Sequence, residues 1–278
     1  MIGQESTLAR TVKFVVLGIW LVITLFPIYW ITVTAFKAPG SIFTVPLQYW
    51  PEQFSLENFQ QLFSMSAFGT YLANSLIVGL VAAAFVTVIS ILSGYVLARF
   101  RFKGKGLVFA AFLVTQMLPA FIALGPLYLL MTRLGLVDQL MGLVLVYIAI
   151  GIPFSTIMLV GFFRNVPDAL EEAAMIDGCS RTVALFRIVV PVMLPGIVAA
   201  FIFNFVACWN ELFLSMTLMN SDIRKTIPPA LNGFITSYNI EWGQLSAAAV
   251  LTIIPTLVVF AFASKYIVRG LTAGAVKG

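Results

Sequence analysis

The sequence predicts an all-α, polytopic membrane protein with six transmembrane helices, and three observations carry that expectation. The chain of 278 residues is 61% hydrophobic and only 10% charged, whereas ordinary soluble domains carry roughly 25% charged residues. Six apolar runs reach the length of about 20 residues that a helix needs to cross a hydrocarbon core of roughly 30 Å. None of these runs alternates apolar with polar residues as the strands of a membrane barrel do. Helices are the remaining way to satisfy backbone groups in lipid.

The runs fall at about 14–36, 75–98, 107–131, 141–163, 192–218 and 246–268. Arg10 and Lys13 precede the first, as they would in a signal peptide. Its length exceeds the roughly 7–15 residues of a signal core, and no small-x-small cleavage site follows Phe36-Lys37. It is expected to be a retained helix behind an N-terminal segment, 1–13. The loop 38–74 contains Pro39, Pro46, Trp50, Pro51, Phe54 and Phe59 and is expected to form a compact outer cap with short helices. Tyr29, Trp30, Tyr49 and Trp50 suit an aromatic belt at the outer interface. The loop 99–106, Arg-Phe-Arg-Phe-Lys-Gly-Lys-Gly, reads as a basic topology anchor. The short loop near 132–140 makes the third and fourth spans antiparallel neighbours, and a longer loop, 219–245, precedes the last span.

Orientation follows from the basic residues. With the N-terminus inside, inner segments hold Arg10, Lys13, Arg99, Arg101, Lys103, Lys105, Arg164, Arg181, Arg187, Lys265, Arg269 and Lys277. Outer ones hold Lys37, Arg133, Arg224 and Lys225. Twelve against four places both termini in the cytoplasm. The net charge of +5 is then a topology signal rather than a nucleic-acid footprint, which needs a basic soluble face. The chain has no histidine, which removes the commonest general base and metal ligand. No metal site is expected, and no catalytic residue. Cys179 and Cys208, one in a loop and one in a span, have no route to a disulfide.

The chemistry concentrates in the polar connector 164–190. Pro167 suits the start of a helix. Asp168, Glu171 and Glu172 place negative charge at its positive end. Ala169, Ala173 and Ile176 are spaced to form one apolar stripe, with Leu170 and Ala174 beside it. Gly178 is placed to end the helix in a left-handed cap, and Ser180 or Thr182 to cap a second short helix. Pro191 opens the next span. Small residues let a partner's backbone approach while the carboxylates meet basic groups on it. The competing reading is an amphipathic helix lying on lipid, where three closely spaced acids would be poorly placed.

Glu172-Ala173-Ala174, then three residues, Gly178, nine residues, and Ile188-Val189-Val190-Pro191 resemble the EAA signature of ATP-binding-cassette (ABC) importer permeases. The one departure is Val190 where the signature has Leu. Asp177 before Gly178 is similar to the family's Asp-Gly pair. Thr115-Gln116-Met117-Leu118-Pro119, Gly125-Pro126-Leu127-Tyr128 and Trp209-Asn210-Glu211-Leu212 resemble, in order, segments of the carbohydrate-uptake branch. The tail Arg269–Gly278 resembles the end of its maltose-type second permease.

The resemblance implies a type I importer permease fold and a subunit that moves a sugar or sugar-like solute by alternating access. It implies an ATPase-docking role for Glu171, Glu172, Ala173, Ala174, Asp177 and Gly178. It also implies that the tail 269–278, with Leu271, Thr272, Gly274 and Lys277, reaches the ATPase interface. The implied partners are a second homologous permease, an ABC ATPase dimer, an external solute-binding protein and membrane lipid. ATP and Mg would sit on the ATPase; this chain has no G-x-x-x-x-G-K-[ST] loop for phosphates. The implied location is the cytoplasmic membrane of a bacterium or archaeon.

Glu211 is the only acidic residue in an expected span, and such a residue is by default a functional candidate. A pathway or gate role and a solvated or helix-pairing role both stand. Gln116, Asn204 and Asn210 could bond a sugar's hydroxyls or bridge helices. Asn232 and Gly233 are expected near the tip of the loop 219–245, where the resemblance places a reach toward the binding protein. Two other classes compete: an ion-coupled secondary transporter, and a membrane enzyme acting on lipids. An importer of a non-sugar solute such as a glycerol phosphate shares the same motifs.

Overall fold

The computed structural model describes residues 7–235 and 240–275, and they are overwhelmingly helical. In chain order the helices are α1 Thr7–Ala35, α2 Glu57–Met65, α3 Phe68–Arg99, α4 Lys105–Met117, α5 Leu124–Arg133, α6 Leu140–Asn165 and α7 Asp168–Ile176. They continue as α8 Arg181–Ala184, α9 Val190–Val192, α10 Leu194–Trp209, α11 Phe213–Leu218, α12 Ile227–Asn232 and α13 Trp242–Ala275. Four helices are each long and apolar enough to cross a membrane: Leu8–Ala35, Phe68–Arg99, Leu140–Asn165 and Trp242–Tyr266. Two bent pairs raise the number to six.

The bends refine the expected boundaries. The third run is two helices, Lys105–Met117 and Phe121–Arg133, meeting at 92°. Leu118 turns extended before Pro119, as a residue preceding proline tends to. The fifth is Arg181–Val192 joined at 78° to Leu194–Trp209, so it draws in the second half of the polar connector. Residues Leu185–Val189 form a π turn, a common site of helix distortion. This helix ends at Trp209, not at 218; α11 is a separate short helix.

The chain divides into two compact units, 1–68 with 233–254 and 69–232 with 255–278. In the first, the most apolar stretch of α1 buries none of its residues, a surface for lipid or another membrane helix to cover. Asn58 of α2 donates through Nδ2 to the carbonyls of Ala35 (3.0 Å) and Lys37 (2.7 Å). Lys37 is buried, donates to Gln48 O at 2.5 Å and stands 4.8 Å from the centre of the Trp30 ring. Burial holds its ammonium below the usual lysine range.

In the second unit α3, α6 and α10 pack through small residues, which let membrane helices approach closely. A Cβ on Gly79 would lie 3.3 Å from Phe205, and one on Gly94 3.3 Å from Phe163. Hydroxyls pair across the seams: Ser93 with Thr156 at 2.8 Å, and Thr156 with Ser90 at 3.3 Å. Gly196 is the tightest of these positions, since a Cβ there would meet the Phe162 ring at 2.5 Å. Gly196→Val is therefore expected to destabilise the fold by about 1–3 kcal/mol, as overpacking does. A lowered thermal midpoint of the detergent-solubilised protein checks it.

Candidate functional site

The polar connector folds as a helix, a turn and a second helix. Helix α7 ends at Gly178, whose φ is +86°; its N–H and that of Cys179 donate to the carbonyls of Met175 and Ala174. Glycine adopts this left-handed conformation without the steric penalty other residues meet. Ser180 caps α8, its Oγ accepting from Val183 N at 3.3 Å.

Arg99, the last residue of α3, ties α7 to the bundle. Its Nε donates to Glu171 Oε1 at 2.6 Å, one terminal nitrogen lies 2.5 Å from Asp168 Oδ1, and the other donates to Val166 O at 2.8 Å. Tyr95, one turn earlier, donates its hydroxyl to Glu171 Oε2 at 2.7 Å. The Glu171 residue is 4% exposed. This fork geometry is what a guanidinium supplies and an ammonium does not. Arg181 lies over Phe100, 5.1 Å from the ring centre, and Phe100 packs edge-on against Tyr95.

The clasp sorts the expected docking residues into two sets. Glu171 and Ala174 are buried against the bundle. Residues three apart share one helix face, and this face of α7 turns inward. Glu172, Ala173, Asp177 and Gly178 are exposed, together with Ala169, Leu170 and Ile176, the last at 86%. An apolar stripe flanked by acids is thus left open to solvent. The Arg99 partner was not legible locally, because it lies 72 residues from Glu171 in sequence.

The residues expected in the solute pathway separate in the same way. Glu211 sits in the break between α10 and α11. Its Oε1 accepts from Leu214 N at 2.9 Å, and its Oε2 from Ser215 N at 3.1 Å and from the Tyr147 hydroxyl at 2.9 Å. It therefore caps α11 and pairs α10 with α6. Asn204 is buried and donates to Ser155 Oγ (2.6 Å) and Ala200 O (2.7 Å). Asn210 is exposed and donates to Val206 O at 3.0 Å. Gln116 is exposed on α4, and Asn232 is exposed at the end of α12 with Gly233 in the turn beyond. A pocket of about 130 Å³ is lined by both Glu211 and Asn204 but by none of the other four.

The segment before α12 is held firmly. Asp138 accepts from the backbone N–H groups of Asn220 and Ser221, each at 2.9 Å, and from the Ser221 hydroxyl. The Ser221 hydroxyl and N–H keep the Asp138 carboxyl below its usual range. Asp222 is lowered too, by the Tyr71 hydroxyl at 2.5 Å and by Lys225. In the tail, the backbone of Leu271, Thr272 and Gly274 continues α13; Lys277 lies outside the described residues.

Residues 89–273 match the family described as binding-protein-dependent transport system inner membrane component. The diacetylchitobiose uptake system permease protein DasC of Streptomyces coelicolor is 38% identical over 96% of both chains. The sulfoquinovosyl glycerol transport system permease protein SmoH of Agrobacterium fabrum is 35% identical over 97% of this chain and 94% of its own. The inner membrane ABC transporter permease protein YcjP of Escherichia coli is 32% identical over the full length of both. Among solved structures, a bacterial ABC transporter that imports the acidic polysaccharide alginate superposes with a TM-score of 0.82. That match has 20% identity and covers 96% of this chain and 99% of the other. Such identity speaks for the fold alone. Family membership sets aside the ion-coupled carrier and the lipid enzyme. The chain belongs to the binding-protein-dependent transport system inner membrane components, as a membrane-spanning, non-enzymatic permease subunit of an ABC importer.

Proposed function

We propose that this subunit imports a sugar or sugar-like solute of the maltose or oligosaccharide class, and that α7 is where an ABC ATPase grips it. The observation that carries the docking role is the exposed stripe Ala169, Leu170, Ala173 and Ile176 beside Glu172 and Asp177, on a helix anchored to α3. Exposed apolar patches rimmed by polar groups mark interaction sites. The sugar class is supported by relatives named for diacetylchitobiose and sulfoquinovosyl glycerol uptake. A solved alginate importer bound to its periplasmic protein supports delivery by an external solute-binding protein.

On this reading the cytoplasmic membrane holds the spans within 14–268, with both termini and the connector 164–190 inside. A second permease completes the pathway, and ATP and Mg act on the ATPase dimer. Closure of that dimer pushes α7. Because Arg99 links α7 to the end of α3, the push reaches a long helix rather than a loose loop, and the bundle rocks between inward- and outward-facing states. The tail 269–278 senses closure. Deleting 270–278 is expected to lower the solute-stimulated ATPase rate far more than it lowers recovery of the complex. An unchanged rate counts against that role. The sugar reading is tested by ATP-driven uptake of labelled diacetylchitobiose, maltose and glycerol 3-phosphate into proteoliposomes holding the complete importer. Accumulation of a saccharide supports it, and accumulation of the phosphate alone overturns it.

A further inference from the structure

We infer that the pocket between α6 and α10 is a solute subsite that binds hydroxyl groups of a sugar, so that this subunit recognises its solute directly. The inference rests on the sugar-importer reading above and deepens it. The walls are Tyr147 and Gly151 on α6 and Asn204, Ala207, Cys208 and Glu211 along α10 and its end. Asn204, Ala207 and Cys208 are spaced to share one face of α10, and Glu211 follows in the break beyond its end. The space of about 130 Å³ is several times the roughly 10–15 Å³ that one water needs.

The polar groups of this pocket are already spent as donors. Both amide hydrogens of Asn204 go to Ser155 and Ala200, and the Tyr147 hydroxyl goes to Glu211. What faces the space is acceptor capacity. Asn204 is 5% exposed, and its Oδ1 points to the backbone of Gly151, where a Cβ would come within 2.8 Å of it. That oxygen accepts no hydrogen bond among the described residues, yet it is not sealed in, because no fully buried polar atom there lacks a partner. The amide orientation is fixed by Ala200 O, which can only accept. Glu211 takes three donors, leaving one of the about four lone-pair sites of a carboxylate.

A ligand here must therefore donate. A metal cation would want about six oxygen ligands, and no group of acids or cysteines suited to a metal occurs among the described residues. Neutral hydroxyls match two separated acceptors on otherwise apolar walls, the usual make-up of a small-molecule site. Gly151 contributes by what it lacks, since any side chain would strike the Asn204 oxygen and Val86.

Cys208 in the wall provides a native reporter. The complete importer carrying Cys179→Ser in this chain is reconstituted, and N-ethylmaleimide addition at Cys208 is followed by mass spectrometry during ATP turnover. At roughly ten times its half-saturating concentration, a transported saccharide is expected to slow addition about tenfold, in proportion to occupancy. Glycerol 3-phosphate, lacking a sugar ring, is expected to leave the rate alone. Independently, Ala207→Trp, which fills the space without touching the hydrogen bonds, is expected to cut saccharide uptake at least tenfold while its partner chains still copurify. A Cys208 rate indifferent to a saccharide that the importer does accumulate overturns the subsite, as does wild-type uptake by Ala207→Trp. Failure to accumulate any saccharide overturns the reading beneath it instead.

Discussion

Arg99→Ala is expected to uncouple the importer while leaving the chain in the membrane. The substitution strips a carboxylate that is 6% exposed at its side chain of its ion-pair partner. Breaking a buried pair by removing one member costs roughly 3–5 kcal/mol, because the remaining charge stays desolvated. The Asp168 contact adds little, since that side chain is 71% exposed and surface pairs contribute about 0–1 kcal/mol. Three kilocalories correspond to about a hundredfold shift between the docked and displaced positions of α7. ATP-driven uptake should fall at least tenfold, and the thermal midpoint should drop. Arg99→Lys should recover only part of the loss, because one ammonium cannot reach Glu171, Asp168 and the Val166 carbonyl with a planar fork. Replacing Arg99 and Glu171 together by Met should restore stability more fully than either single change, since no charge is then stranded. A stable, fully coupled Arg99→Ala importer would show that α7 is held by something else.

Glu172→Lys is expected to have the opposite profile, with a normal fold and a lost partner. Glu172 is exposed and belongs to the open face of α7, and surface substitutions of that kind usually move stability by less than about 0.5 kcal/mol. A reversed charge facing a basic partner costs several kcal/mol at an interface. Recovery of the ATPase with the purified chain should fall at least tenfold, while the melting profile of the chain itself is unchanged. An assembled, coupled mutant would contradict the docking contact. The two neighbouring glutamates thus separate cleanly: one is read by stability, the other by association.

That separation also marks how far the sequence could be read. The apolar runs, the glycine stop at 178 and the cap at 180 were all legible, because each depends on a few adjacent residues. The stripe Ala169, Ala173 and Ile176 gave the phase of α7 correctly. Which face turned inward was not legible, because it depends on Arg99 and Tyr95, which belong to a different helix. The same limit applies to the bends. Membrane helices tolerate proline wherever neighbours satisfy the freed groups, so angles of 92° and 78° were beyond local inference. Glu211 looked like an isolated charge in a span; it lies at a helix break whose N–H groups it caps. Its capping role needed the end of α10 at Trp209, which no glycine or proline announces.

The most direct test of the account is to purify the chain from its native membrane in mild detergent and identify by mass spectrometry what accompanies it. The account predicts a second six-helix permease and an ATPase carrying a phosphate-binding G-x-x-x-x-G-K-[ST] loop. Recovery of this chain alone, catalysing solute uptake without ATP, would contradict it and leave the exposed face of α7 without its assigned partner.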